Sequence, residues 1–231
     1  MFGIHKIIIL LIFLITPIFS QAHVQHYENL NEIKFDIYRN NKNIGQHIFS
    51  FKKKDDLLEV ESEIKFQIKK LGVVLYNYHV KGTEYYKDGK LVKFNSKTNQ
   101  NGKEKYVNLR LENKELVIDG SSFKGNVSTD FLLGTWWNHS LVEAPAQISA
   151  VSGRIIKQNV KFLGKEKVET EIKNFNALHF NFSSSDPKLK KDKKIVLQVF
   201  LEPITAKRVR CCESTGRWCS AVVREPMCMK L

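Results

Sequence analysis

The chain has no cysteine before position 211, only 5 prolines in 231 residues, and a single long apolar run, which ends at Phe19. A polytopic membrane protein needs several apolar runs of about 20 residues each, so that class is excluded. A share of 42% hydrophobic and 11% aromatic residues also excludes a disordered or collagen-like chain. The composition is that of a globular protein with one sizeable core.

The short motifs that mark common enzyme classes are also missing. The chain has no G-x-S-x-G nucleophile elbow, no G-x-x-x-x-G-K-[ST] phosphate loop, no H-E-x-x-H metal helix and no G-x-G-x-x-G dinucleotide turn. Metal-ligand spacing occurs only at His23 and His26, where a flexible terminus is favoured over adventitious copper or zinc binding. We expect no catalytic residue, metal or cofactor, and predict that the protein is not an enzyme. A hydrolase that depends on His139 is the alternative.

The first 22 residues have the pattern of an exported leader. Lys6 precedes an apolar stretch at residues 7–19, which is shorter than the roughly 20 residues of a bilayer span. Ser20 and Ala22 supply the small residues that favour cleavage between Ala22 and His23. We therefore predict a signal peptide at 1–22, a flexible stub at 23–32 and a periplasmic or secreted protein. A short amino-terminal membrane anchor is the alternative.

The formal net charge of +13 favours anionic partners. Export disfavours nucleic acid as a partner. The expected partner is therefore a lipid or an anionic component of the cell envelope, and we expect peripheral contact with the membrane. Many lysines alternate with apolar residues, as in Ile33-Lys34-Phe35, which is typical of the solvated face of a sheet. The lysine-rich segment 188–194 is expected to be a polar loop. The pattern does not predict an oligomeric state.

Alternating apolar and polar residues predict strands along most of residues 33–201. The alternation is clearest at 33–39 and 58–68. Asp88-Gly89 and Asn101-Gly102 have the chemistry of tight hairpin turns, and turn signals recur roughly every 8–12 residues. We predict an all-β domain, an antiparallel meander that forms a curved sheet, half-barrel or barrel.

One segment does not fit the alternation. Between residues 128 and 142 apolar side chains follow one another too closely for a strand, and Ser128 or Thr129 offers a helix cap. We expect a short helix near 129–140. The same segment contains Trp136, Trp137, Asn138 and His139, which either form a ligand-facing wall or plug one end of the core.

The carboxy-terminal segment 202–231 differs in composition from the rest of the chain. It holds all four cysteines, and these allow three disulfide pairings in an oxidising compartment. The alternatives are a tail read from a shifted frame and a metal site, although the spacing is not that of a zinc ribbon. The candidate disulfide cysteines are Cys211, Cys212, Cys219 and Cys228.

A set of short motifs is spread over about residues 33–200: Ile44-Gly45, Asp88-Gly89-Lys90-Leu91, Thr98, Asn101-Gly102, Trp136-Trp137-Asn138 and Val151-Ser152-Gly153. Together these motifs resemble those of a proteobacterial family of secreted proteins of unknown function. The resemblance implies an antiparallel sheet curled around a core and brings no catalytic residue.

The function expected from these patterns is binding of an apolar ligand or lipid without catalysis. A curved sheet of eight or more strands can enclose an acyl chain. The candidate lining residues are Trp136, Trp137, Asn138, His139, Phe66 and Phe94, with Ile68 beside them. The alternative is a structural or interaction protein of the envelope with a packed core and a basic face, because an inward aromatic residue has the same pattern in a core and in a pocket.

Overall fold

The computed structural model describes residues 31–40, 42–169, 174–186, 196–201, 219–223 and 227–230. Several predictions lie outside these residues: the signal peptide, nearly all of the stub, the loop at 188–194, and Cys211 with Cys212. They remain predictions.

Strands dominate the described residues, as the alternating pattern predicts. They are β1 Glu32–Arg39, β2 Lys42–Lys54, β3 Leu57–Lys70, β4 Val73–Lys87, β5 Lys90–Gln100, β6 Lys103–Glu112, β7 Glu115–Gly120, β8 Lys124–Ser128, β9 Leu132–Leu133, β10 Ala146–Ile148, β11 Ile155–Glu169, β12 Asn174–Ser184, β13 Val196–Leu201, β14 Cys219–Val223 and β15 Met227–Lys230.

The strands form one sheet in the order β8-β7-β6-β5-β4-β3-β2-β1-β14-β15-β13-β12-β11-β10-β9. The first eight strands are an uninterrupted up-and-down meander. The neighbouring strands pair antiparallel except β9 with β10, which are parallel. The predicted all-β class and antiparallel meander are confirmed.

The predicted hairpin turns are present. Asp88 and Gly89 have φ angles of 50° and 72°, and Asn101 and Gly102 have φ angles of 51° and 86°. These positive angles are the ones that a two-residue hairpin turn requires, and Asn, Asp and Gly adopt them most easily. The turn chemistry therefore sets where the long strands of the meander reverse.

The irregular segment differs in detail from the prediction. The short helix expected near 129–140 is one 3₁₀ turn, His139–Val142, and its cap is Asn138, whose side-chain oxygen accepts from the Ser140 backbone N–H. Ser128 instead ends a strand, and β9 follows it. A run of apolar residues without a helical period suits these short, buried pieces as well as it suits a helix.

Gly164 lies inside a long strand. β11 runs through it as one strand, with a register shift between Phe162 and Gly164. Gly164 has a φ of 123°, which places a bulge inside the strand.

The sheet curls until its two ends meet. The hydroxyl of Ser96 in β5 donates to the carbonyl of Ala150, and the Ser122 backbone N–H donates to the carbonyl of Ser152. Both acceptors lie just after β10, at the opposite end of the strand order. One apolar core fills the space between these two ends, and its largest members with almost no exposure are Trp137, Phe35, Phe49, Phe94, Leu109 and Leu116.

The backbone register limits the disulfide options in the described part of the tail. Cys219 in β14 lies opposite Lys230, and Cys228 in β15 lies opposite Phe200 of β13. The two cysteines are therefore not directly paired across the β14–β15 ladder.

Candidate ligand cavity

A cavity of about 560 Å³ lies beside the core, on the same inner face of the sheet. One wall comes from β1 to β4, and the facing wall comes from the segment between β9 and β11. No charged side chain lines it among the residues that the structure describes. Its lining is Ile37, His47, Ser62, Ile64, Phe66, Ile68, Tyr76, Tyr78, Val80, Gly134, Thr135, Trp136, Gln147, Ser149, Ala150, Val151 and Ile156.

Aromatic rings cover one side of the cavity. Phe66 of β3 stacks on Tyr78 of β4, with ring centroids 4.8 Å apart and planes 20° apart, and Tyr76 continues the stack at 6.1 Å from Phe66. Cross-strand aromatic pairs of this kind stabilise a sheet. Burial raises the pKa of Tyr78 to about 12, so its hydroxyl stays protonated and uncharged at neutral pH.

His47 is the most buried polar side chain beside this wall, with 4% of its surface exposed. Its ring packs between Phe35 and Phe49, with centroids 5.7 and 4.1 Å away. Burial lowers the pKa of His47 to about 3, so the imidazole is neutral at physiological pH. A neutral imidazole offers one donor and one acceptor, and both remain available because no hydrogen bond to the His47 ring occurs among the described residues.

Gln147 is held at the facing wall by a buried amide chain. Its Nε2 donates to Oε1 of Gln158, and Nε2 of Gln158 donates to the carbonyls of Leu141 and Ala144 at 2.9 and 2.8 Å. The Gln147 Oε1 atom packs so closely on Gly134 that a Cβ there would lie 2.7 Å from it. Gly134 therefore leaves the space in which the Gln147 amide is fixed.

Trp136 lines the cavity from a strained backbone position. Its φ is 72°, which is rare for a bulky residue and costs roughly 1–3 kcal/mol. Its ring meets Phe182 edge-on at 5.4 Å. The left-handed turn separates the two neighbouring tryptophans, because the Trp136 ring faces the cavity while the Trp137 ring enters the core.

Trp137 takes part in a sealed polar cluster inside the core. Its Nε1 donates to Oε1 of Glu84 at 2.9 Å, and the Tyr86 hydroxyl donates to Oε2 of Glu84 at 2.5 Å. Glu84 is fully buried, and burial raises its pKa to about 7 against the opposing effect of these two donors. Glu84 is not among the residues that line the cavity.

The sequence-predicted site residues therefore divide into two groups. Trp136, Phe66 and the adjacent Ile68 line the cavity. Trp137 and Phe94 do not line it, because the Trp137 N–H donates to Glu84 inside the core and Phe94 is fully buried there.

Asn138 and His139 also lie away from the cavity lining. Asn138 is buried and caps the 3₁₀ turn, while His139 is the half-buried first residue of that turn. The Asn138 Oδ1 atom caps the turn. Neither residue is among those that line this cavity.

Three polar residues that the sequence pattern did not single out belong to the cavity wall or to the buried cluster. His47, Glu84 and Tyr78 each occupy an inward position of a strand whose other inward residues are apolar, such as Phe49 and Phe51 beside His47. A titratable group on the apolar face of an alternating strand is the signal that would have identified them.

The described residues contain no group of three or more His, Cys, Asp or Glu side chains arranged to hold a metal ion. No helix in this part of the chain has the length and apolar character needed to cross a bilayer.

The comparison with known families gives a clear assignment. A model described as a domain of unknown function (DUF6134) matches residues 35–198, which is more than half of the chain, so the chain belongs to this family. The predicted relation to an uncharacterised all-β family is thereby confirmed. No curated protein matches the chain. A similar solved structure is a beta-barrel-like protein of domain of unknown function DUF1849 from Brucella abortus, with 13% identity, 86% of this chain and 96% of that chain covered, and a TM-score of 0.49.

Proposed function

We propose that this DUF6134 protein is an exported, non-catalytic carrier that binds an acyl chain or a similarly apolar ligand in its cavity. The observation that carries the proposal is the contrast inside one curled sheet: a sealed core next to an uncharged space of about 560 Å³. Small-molecule sites typically measure about 300–1,000 Å³ and have mostly apolar walls with a few polar groups. Export rests on the leader-like pattern of residues 1–22.

The chemistry of the lining indicates the class of ligand. His47 and Tyr78 are both uncharged at neutral pH, and no lysine or arginine of the described residues lines the cavity. A buried carboxylate or phosphate would therefore lack a cation, and burying an unpaired charge is costly. The ligand's charged group, where it has one, would remain at the rim while its apolar body fills the cavity and one neutral polar atom pairs with His47.

The test fills the cavity without touching the core. Ile64 lines the cavity and is half-buried, so Ile64→Trp should occupy the space of the ligand, and Val151→Trp should do the same from the facing turn. Lys81→Trp, at an exposed position of β4, adds the same residue outside the cavity as the matched control.

The measurement is equilibrium titration of the mature protein with a fluorescent long-chain fatty acid. We expect saturable binding to wild type and to Lys81→Trp, and at least about tenfold weaker binding to both cavity variants. Thermal unfolding of each variant shows whether the fold survives. Absence of saturable binding to wild type, or equal binding by folded Ile64→Trp and Val151→Trp proteins, would overturn the proposal in favour of a structural module of the envelope.

A further inference from the structure

The β3–β4 hairpin projects beyond the rest of the sheet. β2 pairs with β3 only as far as Phe66, opposite Gly45, and β5 pairs with β4 only from Tyr78, opposite Gln100. Asn77 still accepts a hydrogen bond from the Asn101 backbone N–H at 2.7 Å. Residues 67–76 form a two-stranded ribbon without a ladder partner on either side, called the finger below. Within it, β3 and β4 stay paired up to Lys70 and Val73.

The tip of the finger is apolar and exposed. Leu71 is 96% exposed, Val73 62% and Leu75 54%, and Val74 is also exposed. Soluble proteins seldom place several aliphatic side chains together in water, and such a patch marks an interaction surface.

The turn at the tip of the finger has an unusual residue in its first position. Leu71 has a φ of 51° and precedes Gly72 at 81°, a conformation that favours Asn or Asp in the first position. Five other described hairpin turns follow that preference. Their first residues with positive φ are Asn40, Asp55, Asp88, Asn101 and Asn113. At this turn the chain instead carries a leucine that costs backbone energy and is almost fully exposed, which is explained if a partner buries it.

Four lysines lie on the finger or in the cleft beside it. Lys69 and Lys70 are exposed, and Lys69 also lines an outer cleft of about 690 Å³ together with Lys42 and Lys65. The carboxylate of that cleft belongs to Glu63, whose Oε1 lies 2.7 Å from Nε2 of His79. None of the four lysines pairs with a carboxylate among the described residues, so together they present uncompensated positive charge.

We infer that the finger docks on an anionic bilayer surface, with Leu71, Val73 and Leu75 in the interface and the lysines on the lipid headgroups. Apolar side chains flanked by lysines are the combination that binds such surfaces. Ile68 and Tyr76 at the base of the finger line the cavity, so docking would place the cavity beside the lipid. The purpose of docking, exchange of an acyl chain, rests on the proposed function, but the docking itself does not.

The experiment is flotation of the full mature protein with vesicles that contain about 30% phosphatidylglycerol in phosphatidylcholine, against pure phosphatidylcholine vesicles. Leu71→Asn removes the aliphatic tip while supplying the residue that the turn prefers, so the hairpin should remain folded. Leu163→Ser is its matched control, since Leu163 is an exposed apolar residue of β11. The control for Lys69→Glu/Lys70→Glu is Lys90→Glu/Lys114→Glu. It makes the same change in net charge at the β4–β5 and β6–β7 turns, which lie at the opposite end of the strands from the finger.

We expect wild type to bind the anionic vesicles at least about tenfold more strongly than the neutral ones, with weaker binding at high salt. Leu71→Asn and the Lys69/Lys70 variant should each lose about tenfold, and each control should stay within about twofold of wild type. Equal loss in the Lys90/Lys114 control would show a net-charge effect, and unchanged binding of Leu71→Asn would exclude the tip; either result overturns the inference.

Fatty-acid titration in the absence of vesicles separates this inference from the proposed function. The finger variants should bind the fluorescent fatty acid within about twofold of wild type, since the tip residues do not line the cavity. Finger-dependent vesicle binding by a protein that binds no fatty acid would leave docking intact and remove the carrier function. Fatty-acid binding without vesicle binding would do the reverse.

Discussion

Trp136 and Trp137 are neighbours in sequence but belong to two differently built regions. Trp137 is packed in the core with its N–H on Glu84, and Trp136 faces the cavity from a left-handed backbone position. The region around Trp137 is closely packed and its buried N–H is hydrogen-bonded. The region around Trp136 contains open space and the His47 imidazole, which has no hydrogen bond among the described residues.

The length of the strands explains how one sheet serves both regions. β3 has 14 residues and β4 has 15, against about 5–6 for a common strand. The inner face of β3 supplies Leu58 and Val60 to the core and then Ile64 and Phe66 to the cavity. A long strand can thus stabilise the fold at one end and carry a binding surface at the other.

The largest expected contrast is between two inward phenylalanines. Phe94→Ala should lower the free energy of unfolding by about 3–5 kcal/mol, because it leaves a void in a fully packed core. Phe66→Ala should cost less than half as much, because its ring already borders empty space. Urea denaturation of both variants measures the difference, and equal losses would mean that the cavity wall is as tightly packed as the core.

The alternating pattern explains why the sequence predicts the strands and turns but not this division. Phe66 and Phe94 both occupy inward positions of their strands, and the pattern is the same for a ring that fills a core and for one that borders a cavity. Hairpin turns depend on adjacent residues such as Asp88-Gly89, so a short stretch of sequence is enough to predict them. The partner of Trp137 is 53 residues away in the chain, and only the folded sheet brings Glu84 to it.

The next largest effect on stability is expected in the buried cluster of Glu84, Tyr86 and Trp137. Trp137→Phe keeps the apolar ring but removes the N–H that donates to Glu84, which should cost about 1.5–3 kcal/mol, as expected for a buried hydrogen bond to a charged group. It should also raise the pKa of Glu84 further, since a donor to the carboxylate is lost. Urea denaturation at pH 8 measures the first effect. A loss below about 0.5 kcal/mol would show that water or another donor replaces the indole.

The pH dependence of stability should separate the two regions. The pKa of Glu84 rises from 4.5 to about 7 on folding, so its contribution to stability is present below pH 4.5 and is lost as the pH rises to 7. The pKa of His47 falls from 6.5 to about 3, so its contribution is present above pH 6.5 and is lost as the pH falls to 3. Between pH 4.5 and 6.5 the two effects oppose each other.

Replacing either group alone should reveal how the other group changes stability with pH. Glu84→Gln should make stability rise with pH from 3 to 6.5, and His47→Gln should make it fall from 4.5 to 7, each by up to about 1.4 kcal/mol per pH unit. Urea midpoints across this range give the slopes, with wild type as the control that stays nearly flat in the middle of the range. Identical profiles for all three proteins would contradict the burial of these groups.

The smallest effect concerns the strained residue. At a φ of 72° glycine is favoured over alanine, so Trp136→Gly should be more stable than Trp136→Ala by about 1 kcal/mol. Both variants lose the ring that lines the cavity and should bind the fluorescent fatty acid more weakly than wild type. Thermal unfolding compares the pair, and an alanine variant that is the more stable one would show that the backbone turn relaxes.

An apolar ligand held in the space beside the core should be visible as added mass. The measurement is native mass spectrometry of the mature protein purified from its own compartment, before and after organic extraction. We expect a stoichiometric adduct that disappears on extraction, appears in the extract as a lipid, and is absent from the folded Ile64→Trp protein. A wild-type protein of bare polypeptide mass with an empty extract would show that the cavity carries no such ligand.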